Sequence, residues 1–126
     1  MSDKQNDLEQ RLMYGIHGTP ELKRSEKVQH LGQFRERILR SLSKDQVDDK
    51  HIYPEIEEAL KDPRSTRLIL NGDLAYEYRA KYIKIARKYD KPYTVVNDPS
   101  LKGSVGLVVV ADQAVDVEKI EVEGAE

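Results

Sequence analysis

The polar residues with the most suggestive spacing are those that close two apolar runs. TRLIL (66–70) ends in Asn71-Gly72-Asp73, and YTVV (93–96) ends in Asn97-Asp98-Pro99. Amides and carboxylates at the carboxyl ends of parallel strands form the rim at which open α/β sheets hold ligands. Downstream, LKGSVG adds Gly103, Ser104 and Gly106, whose backbone amides would supply an anion nest beside that rim. Asn71, Asp73, Asn97, Asp98, Gly103, Ser104 and Gly106 therefore define a crevice for a small anionic ligand. The same residues satisfy an architectural reading: Asn-Gly and Asp-Pro make turns, and Asp73 caps the helix that follows. The loop lacks GxxxxGK spacing, so it is not a nucleotide-binding turn.

Catalytic constellations are harder to build. His17, His30 and His51 fall in three separate segments, none at the i, i+4 spacing of a helical metal pair. Asp48-Asp49 and Glu57-Glu58 are sequence neighbours, which point apart on a helix and do not make a paired acid and base. No G-x-S-x-G turn presents a serine. The chain has no cysteine, which removes disulfides, thiolate nucleophiles and Cys-based metal sites and fits a reducing compartment. The expectation is a protein without cofactor or metal, non-enzymatic by default.

These residues sit on a regular alternation between Tyr53 and Asp112. A short helix signal (YPEIEEALKD) precedes the run TRLILN. A long amphipathic helix (AYEYRAKYIKIARKYD) follows, and then the runs PYTVVN and VGLVVVAD. That order predicts an α/β fold with a largely buried sheet. A right-handed crossover through the long helix makes 66–71 and 93–97 a parallel pair. On a helical wheel Ala75, Tyr78, Tyr82, Ile85, Ala86 and Tyr89 gather on one face, with Glu77, Lys81, Lys84, Lys88 and Lys91 opposite. A solvated face explains those lysines fully. The functional alternative is a phosphate-tracking stripe for structured RNA made of Lys81, Lys84, Arg87, Lys88 and Lys91.

At 126 residues, 35% charged with a net charge of −2, the chain predicts one domain with no general attraction to DNA or membranes. No apolar stretch approaches the roughly 18 residues of a spanning helix, and the first thirty residues carry no signal-peptide pattern. The expected location is the cytoplasm. Residues 1–24 form an N-terminal extension, with a helix-compatible part around Leu8, Leu12 and Met13 and a loop broken by Gly15, Gly18 and Pro20. Ser25 opens a short helix, with Val28 and Leu31 inward, that Gly32 stops. For QFRERILRSLSKDQV both helix and strand periodicities are available. A strand through 35–43 is favoured, because the alternation otherwise leaves three strands and a poorly covered edge. On that strand Arg35 and Arg37 share a face opposite Glu36, placed to clamp Glu21 and Glu26 of the N-terminal loop. The α/β domain spans 25–118, and 119–126 is an acidic tail. Val117, Ile120 and Val122 still dock on the body before the end frays.

The segment GTPELKRSEKVQHLGQFRERI, followed by this strand and helix order to VVVAD, resembles the YueI family of small bacterial cytosolic proteins. The likeness covers about residues 13–118 and is most specific at LGQFRER (31–37). It implies a single-domain β-α-β-α-β-β mixed sheet covered by helices, similar to kink-turn-binding ribosomal proteins and trimeric chorismate mutases, and it implies no activity. The kink-turn signature Gly-x-Asn-Glu-x-x-Lys would open the helix near Pro54, where this chain reads VDDKHIYPEIEE instead. Chorismate mutase chemistry would need converging arginines, for which Arg35, Arg37 and Arg67 are the candidates. The partner is therefore an unidentified protein or small ligand, with structured RNA as the alternative. Strand edges and the Tyr-rich helix would each support self-association.

Overall fold

A computed structural model describes residues 30–123 of the chain. The N-terminal extension, the Ser25 helix signal, His17, Glu21 and Glu26 lie outside the described residues. Four strands, β1 (Ile38–Ser43), β2 (Ser65–Asn71), β3 (Tyr93–Val96) and β4 (Val105–Ala111), form one sheet in the order β1-β4-β2-β3. Three helices, α1 (Lys44–Val47), α2 (Pro54–Lys61) and α3 (Tyr76–Lys88), join them. β2 and β3 are parallel, with Leu68 opposite Tyr93, as the crossover through α3 requires. β4 runs antiparallel to both β1 and β2. As an inner strand it is buried on both faces, which its unbroken VGLVVVA composition permits.

Alternation along the strands sorts the core into two layers. Leu39, Leu42, Leu68, Leu70, Leu107 and Val109 face Ile56 and Leu60 of α2 and Tyr82 and Ala86 of α3. Ile38, Ile69, Val108 and Val110 face the other way, onto Leu31 and Ile120. Each fully buried Leu or Ile contributes about 1.5–3 kcal/mol, so both layers are needed. Leu31 and Gly32 both take the left-handed conformation (φ 57° and 86°), a sharp turn into the body.

The helix ends follow local chemistry. Ser43 and Gln46 form a reciprocal capping box on α1, and Pro54 opens α2 where a missing N–H costs nothing. The buried Tyr82 hydroxyl accepts from the Tyr53 N–H at 3.1 Å, joining α3 to the start of α2. Desolvation pushes that phenol's pKa up. Among the described residues no helix is long and apolar enough to cross a membrane.

Three expectations are corrected. Residues 35–43 are not one strand: Arg35–Arg37 form a 3-10 turn and the strand starts at Ile38, so Arg35 and Arg37 do not share a strand face. A bulge then separates the pairs Ile38–Val110 and Arg40–Val109. Through it Ile38 and Leu42 reach opposite layers although strand alternation puts them together. Asp73 does not cap the long helix, whose N-cap is Ala75 without a side-chain bond. The turn folds back on Asn71, which receives the Leu74 N–H, and carries Asp73 away from the helix end.

The packed body also continues past residue 118. Ile120 and Val122 are buried, the Ser41 N–H donates to the Ile120 carbonyl at 2.8 Å, and Val122 N–H donates back to Ser41 at 3.3 Å. Ser41 and Glu121 thus form a parallel bridge that covers the outer edge of β1.

Candidate functional site

At the carboxyl ends of β2 and β3 the rim exists, and it is densely cross-linked. Asn71 is fully buried. Its Nδ2 donates to the Val105 carbonyl at 3.0 Å and the Gly103 carbonyl at 3.4 Å, and its Oδ1 accepts the Asp73 N–H at 2.8 Å. Asp73 holds Lys102 at 2.6 Å and Lys44 at 3.6 Å, and the Lys102 bond keeps its carboxyl below the usual range. A Cβ on Gly72 would lie 2.0 Å from the Asn97 Oδ1, so Asn97 closes directly over that turn. Asp98 accepts from the Ser100 N–H and hydroxyl at 2.9 and 2.8 Å. Ser104 offers its carbonyl to the Lys44 N–H. Gly103 and Gly106 are absent from the left-handed region, so the alternating backbone of an anion nest is not built there. The structure thus brings Asn71, Asp73, Asn97 and Gly103 together and adds Lys44 and Lys102, while Asp98 serves its own turn.

The basic helix divides into two sets. Lys81 donates to the carbonyls of Asp49 and His51, and partial burial lowers its pKa. Glu57 on α2 accepts from the Tyr89 hydroxyl at 2.6 Å and from Lys88 at 3.3 Å, which together hold its carboxyl low. Lys91 donates to the Ser65 carbonyl at 2.7 Å. Three of the five cations of the RNA stripe therefore already have internal partners. Lys84 is exposed, and Arg87 stands over the Tyr93 ring at 5.8 Å.

The candidate arginines go to three places. Arg35 reaches the Val117 and Glu118 carbonyls at 2.8 and 2.9 Å, Arg37 lies over Phe34, and Arg67 donates to the Thr94 hydroxyl. Arg35 thus fastens the C-terminal segment. Replacing it by Lys keeps the charge and loses the planar fork. Arg35→Lys is expected to cost about 1 kcal/mol, or roughly 4 °C in Tm. The exposed Arg37→Lys should leave Tm within about 1 °C. Paired thermal melts check both.

Among the described residues the feature left without a cover is the edge of β3. Leu68 N–H donates to Pro92 and Gly72 N–H to Val96, so even-numbered residues turn their peptides toward β2. Tyr93 and Val95 turn theirs outward. Beside this edge runs one stripe of α3. At about 100° per residue, Tyr76, Ala80, Ile83 and Arg87 share it, and the Arg87–Tyr93 contact fixes its direction. Tyr76 is 72% exposed and Tyr93 37%. Tyr and Arg are the side chains most enriched at protein interfaces. Sequence reasoning named neither Tyr76 nor Tyr93. Periodicity locates β3 without revealing that it ends the sheet.

The comparisons are consistent with this fold. Residues 5–121 match the family described as "Protein of unknown function (DUF1694)". The chain is 36% identical over 123 residues to "Uncharacterized protein YueI" of Bacillus subtilis (strain 168), covering 98% of this chain and 92% of that protein. The crystal structure of the YueI protein from Bacillus subtilis superposes with a TM-score of 0.78 at 35% identity, covering 87% of this chain and 86% of that one.

Proposed function

The chain belongs to this DUF1694 family of proteins of unknown function, and from that premise we propose that it is a non-enzymatic binding module of the cytoplasm. Its contact surface is the edge of β3 with the adjoining stripe of α3. The observation that carries this is the unequal treatment of the two sheet edges. The C-terminal segment bridges onto β1, whereas among the described residues nothing pairs with the outward peptides of Tyr93 and Val95, and Tyr76 and Tyr93 are exposed there. An uncovered edge is a template for another extended segment, which gains main-chain hydrogen bonds by adding to the sheet. A polypeptide partner is favoured over RNA because Lys81, Lys88 and Lys91 are held by carbonyls or a carboxylate.

Photo-cross-linking in the cell tests this. A photoreactive residue at Thr94 on the edge is expected to give a discrete protein adduct. One at Lys61, exposed at the far end of α2, should not. The Val95→Pro change removes an outward N–H without touching the β2 ladder and should abolish the adduct. Equal labelling from both positions, or an adduct indifferent to Val95→Pro, would count against the β3 edge.

A further inference from the structure

We infer that the occupant of this edge is a second copy of the chain, related by a two-fold axis through Val95. The inference rests on the edge reading above and adds the partner's identity. Its basis is a symmetry within α3. About the midpoint between Lys81 and Tyr82, the stripe beside β3 is its own complement: Tyr76 mirrors Arg87, and Ala80 mirrors Ile83. An antiparallel second α3 would set each exposed tyrosine ring against a guanidinium, a favourable cation–π pairing. It would also set each small alanine against a larger isoleucine. On the solvent flank of the same stripe, Glu77 and Lys84 nearly mirror one another, and both are exposed. A two-fold perpendicular to the sheet keeps solvent flanks together, so each Glu77 meets the other copy's Lys84. A closed, self-complementary interface of this kind is what two-fold symmetry requires.

The strand accommodates the same axis. Arg87 lies over Tyr93, and helical side chains lean toward their own N-terminus. From that contact the helix midpoint is about 5–8 Å further along, at about 1.5 Å per residue. This equals about two residues of strand at roughly 3.3 Å each, which brings the axis to Val95. Val95 is also the middle of the outward-facing positions Tyr93, Val95 and Asn97. In an antiparallel β3 pair it would exchange both hydrogen bonds with its own copy. Helix and strand thus agree on one axis, and the sheet would continue across it from one copy to the other.

Sedimentation equilibrium of the full chain tests the inference. The wild type is expected to be a dimer and Val95→Pro a monomer. Glu77→Lys alone and Lys84→Glu alone each place like charges together twice across the axis and should weaken dimerisation about tenfold. The double exchange E77K/K84E should restore it, a rescue possible only if the two positions meet between copies. Both positions are exposed on α3, so these variants keep the fold if Val95→Pro does not. A wild type that stays monomeric overturns the inference, as does a dimer that ignores both Val95→Pro and the charge exchange. The edge reading fails separately: a monomeric wild type whose Thr94 probe still captures a different protein in a Val95-dependent way leaves the edge standing and removes only the second copy.

Discussion

Replacing Asn71 by Leu is expected to remove about 3 kcal/mol of stability, a fall of roughly 10–15 °C in Tm. Leu keeps the branched heavy-atom skeleton of Asn but is bulkier, so overpacking adds to the loss. The larger change is in the satisfaction of buried polar groups. Asn71 is fully buried and serves three main-chain groups: the Gly103 and Val105 carbonyls and the Asp73 N–H. Leu satisfies none of them, and an unsatisfied buried donor or acceptor costs about 1–3 kcal/mol. Asn71→Asp should be worse at neutral pH, because a carboxylate would then face two carbonyl oxygens. Its folded-state pKa would be raised above the unfolded value, so the deficit against wild type is present at neutral pH. It shrinks as pH falls toward about 4, where the unfolded chain also protonates. Thermal melts at neutral and acidic pH check both variants. A wild-type-like Asn71→Leu at neutral pH would mean that water reaches those groups.

A second large effect is expected at Gly106. A Cβ there would lie 2.7 Å from the Ser43 carbonyl oxygen, 2.8 Å from Val47 Cγ2 and 3.0 Å from Lys44 Cα. Two of these are backbone atoms of the corner between β1 and α1 and cannot rotate away. The register shift between Leu42–Leu107 and Ser43–Val105 places Gly106 at an irregularity where the two backbones come together. Gly106→Ala should therefore cost about 2 kcal/mol. Lifting α1 would also expose the buried Val47 and loosen the 2.9 Å bond from Lys44 N–H to Ser104. A drop in denaturation midpoint together with faster exchange at the Lys44 amide is the expected pair of results. A stability loss without faster exchange there would place the strain elsewhere.

The order of strands and helices was readable from the sequence because apolar runs bounded by Asn-Gly, Asp-Pro and a long amphipathic helix leave few alternatives. The start of β1 was not. The LGQFRERIL segment carries both periodicities, and the bulge at Leu39 removes the alternation that would have decided between them. Asp73 has the composition of a cap, but capping depends on where the turn ends, and that is set by the long-range bonds of Asn71. The acidic composition of 119–126 marks a tail, while the apolar Val117, Ile120 and Val122 mark its docking, and Ile120 joins the second core layer and Val122 the first. The rim residues were found because turn chemistry is local. Strand edges and the Tyr-rich helix were legible as surfaces for self-association, but not that β3 is the edge in question, because strand order and the position of Tyr76 and Tyr93 at one border of the sheet are properties of the assembled fold.

The central claim is that the outward peptides of β3 are a contact surface, and residue-resolved amide hydrogen exchange tests it most directly. In dilute protein Thr94 and Val96, bonded to β2, should exchange slowly while Tyr93 and Val95 exchange fast. When the protein is concentrated or captured with its partner, Tyr93 and Val95 should become slow as well. If those two amides stay fast in every assembled form, the β3 edge is not where this protein binds.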